Sequence, residues 1–160
     1  MALHNTKIDL STETREKLVG LLNSRLADAS DLKSQAKQAH WNVKGMSFIA
    51  LHELFDDVAT AVEAHVDLIA ERITTLGGTA MGTIRLAAQN SRLSEYPHEI
   101  TDGAAHVDAL STALADFGKG IRRAIDESAD LGDQDTADLF TEISRETDKQ
   151  LWFVEAHIQA

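Results

Sequence analysis

The chain has 160 residues, of which 43% are hydrophobic and 26% charged, with one proline and no cysteine. This length fits one domain with one core. Without cysteine, disulfides and sulfur-ligated metal sites are excluded, so any metal must be held by His, Asp or Glu. The formal net charge of −11 opposes binding to DNA and anionic membranes and favours cations, although a merely solubilising acidic surface would give the same charge.

The sequence contains no segment that predicts membrane insertion or export. Its apolar stretches are short, and the first residues, MALHNTKIDL, have neither the basic region nor the apolar core of a signal peptide. We therefore expect a soluble, cytoplasmic protein without a membrane partner. Residues 1–160 are predicted to form a single domain, in which residues 1–10 are a short N-terminal extension.

Two long helices are predicted in the first half of the chain. Apolar residues recur every three or four positions from about Thr12 to about Val43, which indicates the first helix. Lys44-Gly45 interrupts that pattern. Ser47 is expected to cap a second helix, which continues to the Gly77-Gly78 pair.

The second half of the chain predicts a crossover followed by two more helices. Residues 79–100 contain turn-forming residues around a short apolar piece, IRLAA, and should form a long connection with one short helix. A third helix is expected over about 101–128 and a fourth over about 135–157. No strand-like alternation is present. The expected fold is all-α, a ferritin-like four-helix bundle with its long crossover between helices 2 and 3.

A stripe of metal-ligating side chains runs along the second helix. His52 and Asp56 are four residues apart, as are Asp67 and Glu71, and at about 100° per residue all four lie within about 100° of the helix surface. The two pairs are separated by about 16 Å along the axis, so one helix cannot close a single site with both. Antiparallel pairing of two copies about a two-fold axis would make two equivalent sites. His40, at the end of the first helix, could add another imidazole.

The ligand types indicate which metal such a site would take. Imidazole and carboxylate together suit iron, with zinc, manganese or cobalt as possible substitutes, and a dinuclear site leaves open positions for an oxidant. Spacing alone is not specific, because exposed polar residues four apart are common on surface helices.

Longer motifs make the pattern specific. QAHWNVKG, SFIALHELFDD and DLIAERITTLGG, followed by SEYPHEI, DTADLFTEISRETDK and LWFVEAH, resemble the DNA-protection-during-starvation (Dps) family from about Leu18 onward. The resemblance implies a ferroxidase centre that uses two histidines and an aspartate of one subunit with an aspartate and a glutamate of its two-fold mate. These ligands fall, with none missing, on His40, His52, Asp56, Asp67 and Glu71.

The same resemblance implies a function. Members of the family form shells of twelve four-helix subunits, oxidise Fe(II) with hydrogen peroxide or dioxygen, and store Fe(III) mineral, which protects DNA and the cell from oxidative damage. Classical ferritins use Glu-x-x-His motifs instead. The corresponding spacing from Glu95 to His98 is interrupted by Pro97, and we interpret it as chance.

Other residues allow two interpretations. Trp41 adjoins His40 and could relay an electron or radical from the iron site, but packing explains a lone indole equally well.

An acidic cluster precedes and begins the fourth helix. Its early members can complement the helix dipole, whereas Asp138 and Glu142 are candidates for an iron-entry pore of the kind that the family has. Trp152 is interpreted as a packing residue. The remaining histidines are interpreted as ordinary surface or polar-contact residues: His4, His65, His98, His106 and His157.

Two alternative functions remain. A nucleoid protein that mainly condenses DNA would carry a flexible tail rich in Lys and Arg, and neither end of this sequence has one. Direct DNA binding is therefore expected to be weak or absent, although association with the nucleoid stays open. A structural cage without turnover is disfavoured because all five ligand positions are filled.

Overall fold

The computed structural model describes residues 3–159 and contains no strand in that range. The prediction of an all-α bundle with a short helix in its crossover is confirmed. None of the helices within residues 3–159 is long and apolar enough to cross a membrane. The helices are α1 (Thr12–Asn42), α2 (Phe48–Thr75), α3 (Ile84–Asn90), α4 (Gly103–Asp130) and α5 (Gln134–Glu155).

The four long helices share one core. The helix pairs α1–α2 and α4–α5 make the largest contacts, and α1–α4 and α2–α5 contacts close the bundle. Phe55, Phe117 and Phe140 are fully buried and come from three different helices. Each such side chain contributes roughly 1.5–3 kcal/mol of hydrophobic stabilisation on burial. The first turns of α2 are therefore fixed by the core beneath them.

Helix ends follow local sequence signals. Ser11, Asp102 and Asp133 cap α1, α4 and α5, each side chain accepting a hydrogen bond from the backbone N–H three residues later. Because the caps are Asp102 and Asp133, α4 and α5 begin within two residues of the expected starts. Ser47 makes no side-chain cap to α2. The α1–α2 turn instead depends on Gly45, whose φ of 108° suits glycine.

Polar side chains of α1 hold the crossover in place. A buried carboxylate oxygen of Asp28 accepts a 2.8 Å hydrogen bond from the backbone N–H of Arg92. Two helical turns later, Gln35 Nε2 donates to the Ser94 carbonyl at 3.0 Å. Because buried polar groups are costly when unpaired, these bonds fix the path of residues 92–94 against the bundle.

The segment before α1 lies against the end of α2. The backbone N–H of His4 donates to the Gly77 carbonyl at 2.7 Å, and Leu3 and Leu10 pack against the core. Gly77 has a φ of 87°, and a Cβ there would lie 2.5 Å from the His4 carbonyl oxygen. Glycine at this position therefore permits both the helix end and the docked segment.

Two side chains are placed differently from their interpretation in the sequence. His65, interpreted as a surface or polar-contact residue, is buried, and its Nδ1 has no hydrogen-bond partner within residues 3–159. The interpretation was wrong because α2 contacts both α1 and α5. Two faces of this helix are therefore covered, and not only the face that carries the apolar residues. Trp152 contacts the Phe153 ring at 5.0 Å but remains 60% exposed.

Candidate metal centre

Two histidines meet where α1 ends and α2 begins. The His40 and His52 rings stack with centroids 3.8 Å apart and planes 20° from parallel. His40 Nδ1 lies 2.7 Å from the His52 carbonyl oxygen, and His52 Nδ1 lies 2.8 Å from the His40 carbonyl oxygen. The two residues therefore fix each other's ring orientation.

These reciprocal bonds determine where each ring carries its proton. A carbonyl oxygen only accepts hydrogen bonds, so Nδ1 of His40 and Nδ1 of His52 must both donate. In the neutral form of each ring, Nε2 then keeps its lone pair. An imidazole whose Nδ1–H is held by a carbonyl is a common arrangement for metal-ligating histidine. Both rings are thus prepared to bind a cation through Nε2.

Asp56 lies one helical turn after His52 and forms an ion pair. Its Oδ1 accepts a 2.6 Å hydrogen bond from Lys37 Nζ. This hydrogen bond, together with the positive charge of Lys37, lowers the pKa of Asp56 although partial desolvation opposes the shift. The carboxylate is therefore ionised near neutral pH and can serve as an anionic ligand.

Asp67 and Glu71 are exposed farther along α2. At a rise of 1.5 Å per residue, Asp67 is about 16 Å along the axis from Asp56. Among residues 3–159, no group of three or more His, Asp or Glu side chains of one chain could hold a metal ion. The chain presents two separate half-sites: the histidine half (His40, His52 and Asp56) and the carboxylate half (Asp67 and Glu71).

Exposed apolar side chains border the histidine half. Trp41 is 67% exposed, with Lys37 Nζ 5.8 Å from its ring centroid, and Met46 and Ile49 are also exposed. Clustered apolar exposure beside a polar site is typical of a surface that another protein covers. This surface is suited to contact with a second chain.

The acidic residues near the start of α5 separate into two kinds. Asp133 is buried, caps the helix and accepts hydrogen bonds from Arg72 Nη2 at 2.8 and 2.9 Å, so its role is structural. Asp135, in the first turn, is exposed and favourable to the helix dipole. Asp138 and Glu142 are exposed on α5.

Lys37 is a site residue that the sequence interpretation missed. It lies three residues before His40 on α1, so helical spacing alone places both on one face. That signal could have indicated a cation beside the ligands. The contact with Asp56 spans two helices and carries no comparable local signal.

Comparisons with known proteins identify the family of this fold. A family model described as a ferritin-like domain matches residues 19–160. The DNA protection during starvation protein of Agrobacterium fabrum is 46% identical, covering 99% of this chain and 98% of that protein. A Mycobacterium smegmatis Dps structure superposes with a TM-score of 0.93 at 32% identity, covering 98% of this chain and 96% of that one.

A Dps structure from Vibrio cholerae is also similar, with a TM-score of 0.90, 26% identity and 99% of each chain covered. That protein is described as a member of a broad superfamily of ferritin-like diiron-carboxylate proteins. The fold, the near full-length identity and the family match together show that this chain belongs to the ferritin-like family and, within it, to the Dps proteins.

Proposed function

We propose that this protein oxidises Fe(II) at sites shared between two chains and stores the Fe(III) product inside a shell of twelve chains. Iron is both the substrate and the stored material. The observation that carries the proposal is the His40–His52 pair, in which the two Nδ1–H groups bind carbonyl oxygens and both Nε2 atoms remain available.

The half-sites support sharing between chains. His40, His52 and Asp56 supply two neutral nitrogens and one carboxylate, which offset only one of the four positive charges of two Fe(II) ions. Asp67 and Glu71 of a second chain would add two carboxylates. In a two-fold dimer with antiparallel α2 helices, each chain gives one histidine half and one carboxylate half, so two complete sites form.

The chemistry of the site follows from its ligands. Two Fe(II) ions held side by side can supply both electrons that convert hydrogen peroxide to two waters, with the uptake of two protons. Pairing the electrons avoids release of hydroxyl radical, which would explain protection of DNA and the cell. The carboxylates stabilise Fe(III) more than Fe(II), because their negative charge favours the higher positive charge. Dioxygen is the alternative oxidant, and zinc, manganese or cobalt could occupy the same ligands.

Other residues have proposed supporting roles. Asp138 and Glu142, exposed and four residues apart, would line the entry path for iron, since acidic openings concentrate cations. Trp41, beside His40, is a candidate for an electron or radical relay at the iron site. Its exposure in one chain equally fits packing against a second chain.

The direct test is Fe(II) oxidation followed by stopped-flow absorbance, with peroxide and with dioxygen as separate oxidants. We expect fast oxidation by the wild type and loss of most of that rate in His52→Ala. Sedimentation in parallel should give one particle of about 210 kDa, twelve times the chain mass of 17.5 kDa. A stable monomer, or wild-type rates in His52→Ala, would contradict the proposal.

A further inference from the structure

The sole tyrosine of the chain is buried against a buried histidine. The Tyr96 hydroxyl lies 2.7 Å from His106 Nδ1, and the two rings are 20° from parallel with centroids 6.0 Å apart. Tyr96 is on the crossover and His106 is in the first turn of α4. The bonds from α1 to the crossover described above hold Tyr96 in this position.

The direction of the hydrogen bond can be assigned. We assign the phenol as the donor, because among residues 3–159 His106 Nδ1 is the hydrogen-bond partner of the Tyr96 hydroxyl and its O–H would otherwise lack an acceptor; His106 Nε2 has no hydrogen-bond partner in this range and is unpaired in either tautomer. The ring proton of neutral His106 is then on Nε2. Burial lowers the pKa of His106 and raises the pKa of Tyr96, so both groups are uncharged at neutral pH.

The pair adjoins the histidine half of the proposed iron site. His106 lies against Phe55, with ring centroids 6.5 Å apart, and Phe55 directly precedes Asp56 on α2. Backbone groups of Asn42, two residues after His40, also approach the His106 ring. Both segments that carry the histidine-half ligands therefore pack near this pair.

We propose that Tyr96 is a redox-active residue, which gives one electron to the oxidant formed at the iron site while its phenolic proton moves to His106 Nδ1. The inference rests on the function proposed above. It applies when a site holds a single Fe(II), which can give hydrogen peroxide only one electron. That reaction yields Fe(III), hydroxide and a hydroxyl radical.

Tyr96 supplies the missing electron in this scheme. The electron converts the hydroxyl radical to hydroxide, the O–H bond of Tyr96 breaks, and a neutral tyrosyl radical and a His106 imidazolium remain. The carboxylate of Asp102 and the backbone groups of Ile100 and Asn42 favour the charged ring, opposing the effect of burial on its pKa. They would stabilise the imidazolium while it lasts.

The radical can be reduced again from outside. Tyr96 lines a surface cleft of about 310 Å³ together with Pro97 and Ala105. A small one-electron reductant such as ascorbate could reach the cleft and return an electron, and the proton would go back from His106. The cycle then restores both residues without loss of atoms.

A structural role would explain the same hydrogen bond, because a buried tyrosine hydroxyl needs a partner. The experiment must therefore detect the radical itself. Wild-type protein loaded anaerobically with one Fe(II) per site is mixed with hydrogen peroxide, freeze-quenched and examined by electron paramagnetic resonance. We expect a tyrosyl signal whose hyperfine pattern changes when the protein is grown on ring-deuterated tyrosine. Since Tyr96 is the sole tyrosine, labelling assigns the signal without a mutation.

Variants separate the roles of the groups. Tyr96→Phe should abolish the signal and raise spin-trapped hydroxyl radical several-fold, whereas Trp152→Phe, an aromatic substitution at an exposed position of α5, should change neither. His106→Gln can still accept a hydrogen bond but is a poor proton acceptor, so the signal should fall several-fold. Fe(II) oxidation at normal rates with no tyrosyl signal in the wild type would overturn this inference alone. Absence of Fe(II) oxidation would overturn the proposed function and this inference with it.

Discussion

Lys37 Nζ lies 2.6 Å from Asp56 Oδ1, so the positively charged ammonium group of Lys37 contacts a carboxylate that is a proposed iron ligand. The two side chains are 28% and 49% exposed, which places the pair at the surface of the chain. A metal ion at Asp56 must either displace Lys37 or bind close to its positive charge. Lys37 therefore opposes metal binding while keeping Asp56 ionised.

Lys37→Gln is accordingly expected to bind zinc, a redox-inert substitute for Fe(II), more tightly. An exposed ion pair contributes up to about 1 kcal/mol, which corresponds to roughly fivefold in affinity. Isothermal titration calorimetry would measure the change. Lys33→Gln is the matched control, because Lys33 pairs with Glu63, which is not a proposed ligand. Weaker zinc binding by Lys37→Gln would mean that Lys37 positions Asp56 instead.

Sharing of the site between chains predicts complementation. His52→Ala and Asp67→Ala should each lose Fe(II) oxidation, and joint disassembly and reassembly should restore it in mixed dimers. Random pairing makes half of the dimers mixed, each with one intact site, so about a quarter of the wild-type rate should return.

The control for complementation is a mixture of His52→Ala with His40→Ala. Both changes lie in the histidine half, so no pairing can produce an intact site and no activity should return. Stopped-flow rates at equal chain concentration decide the result. Recovery in this control, or wild-type activity in either single variant, would refute the assignment of the halves.

The ion pair between Arg72 and Asp133 predicts a pH-dependent contribution to stability. Burial tends to raise the pKa of Asp133, but hydrogen bonds from Thr136 and Arg72 outweigh it and the pKa is lowered. A lowered aspartate pKa contributes stability that is present above the unfolded value near 3.9 and is lost as pH falls through the folded value. The wild type should therefore lose this contribution below about pH 4.

Asp133→Asn should remove that contribution at neutral pH. It leaves the partly buried Arg72 without its anion, and breaking such a pair costs up to about 3–5 kcal/mol, less what the asparagine cap retains. Thermal unfolding at fixed chain concentration, at pH 7 and pH 3, would show a lower Tm with a smaller acid dependence. Asp148→Asn is the control, since the exposed Arg122–Asp148 pair should matter little. Equal effects of the two variants would contradict a stabilising role for the Arg72–Asp133 pair.

Direct DNA binding by this chain is expected to be weak or absent. The backbone of His4 is hydrogen-bonded to Gly77 on the bundle, and the proposed shell of twelve chains at −11 each would carry a formal charge of about −130. Plasmid DNA at about 150 mM salt, without free divalent metal, should run unshifted in a gel. A variant with an added lysine-rich N-terminal arm should retard the DNA. Stoichiometric retention of the wild type that survives chelator would refute the charge argument.

The helices could be predicted from the sequence because each carries its own periodicity and end signals. Errors at their ends were small: α4 begins after Asp102 because that side chain caps it. Helical spacing alone indicated His52 with Asp56 and Asp67 with Glu71 as two separate pairs, and the motif resemblance implied the complete ligand set, including His40. His65 was misplaced because periodicity on one helix does not reveal how many neighbours cover it.

Contacts between separate elements could not be predicted in the same way. Tyr96 and His106 are ten residues apart with a cap and a helix start between them, and neither position is part of a repeating pattern. Lys37 and Asp56 meet only because α1 and α2 pack along most of their lengths. Such pairs depend on tertiary packing, which one-dimensional patterns do not encode.

The separation of the two half-sites along α2 has a consequence for newly made chains. A single folded chain would bind Fe(II) only weakly, because its histidine half and its carboxylate half are too far apart to coordinate the same ion. Oxidation would begin only once chains have paired, and at low chain concentration its rate would rise with the square of that concentration. Oxidation would thus depend on assembly. The ferric product would form where a cavity already exists to hold it, and not on an unassembled subunit, from which it would precipitate.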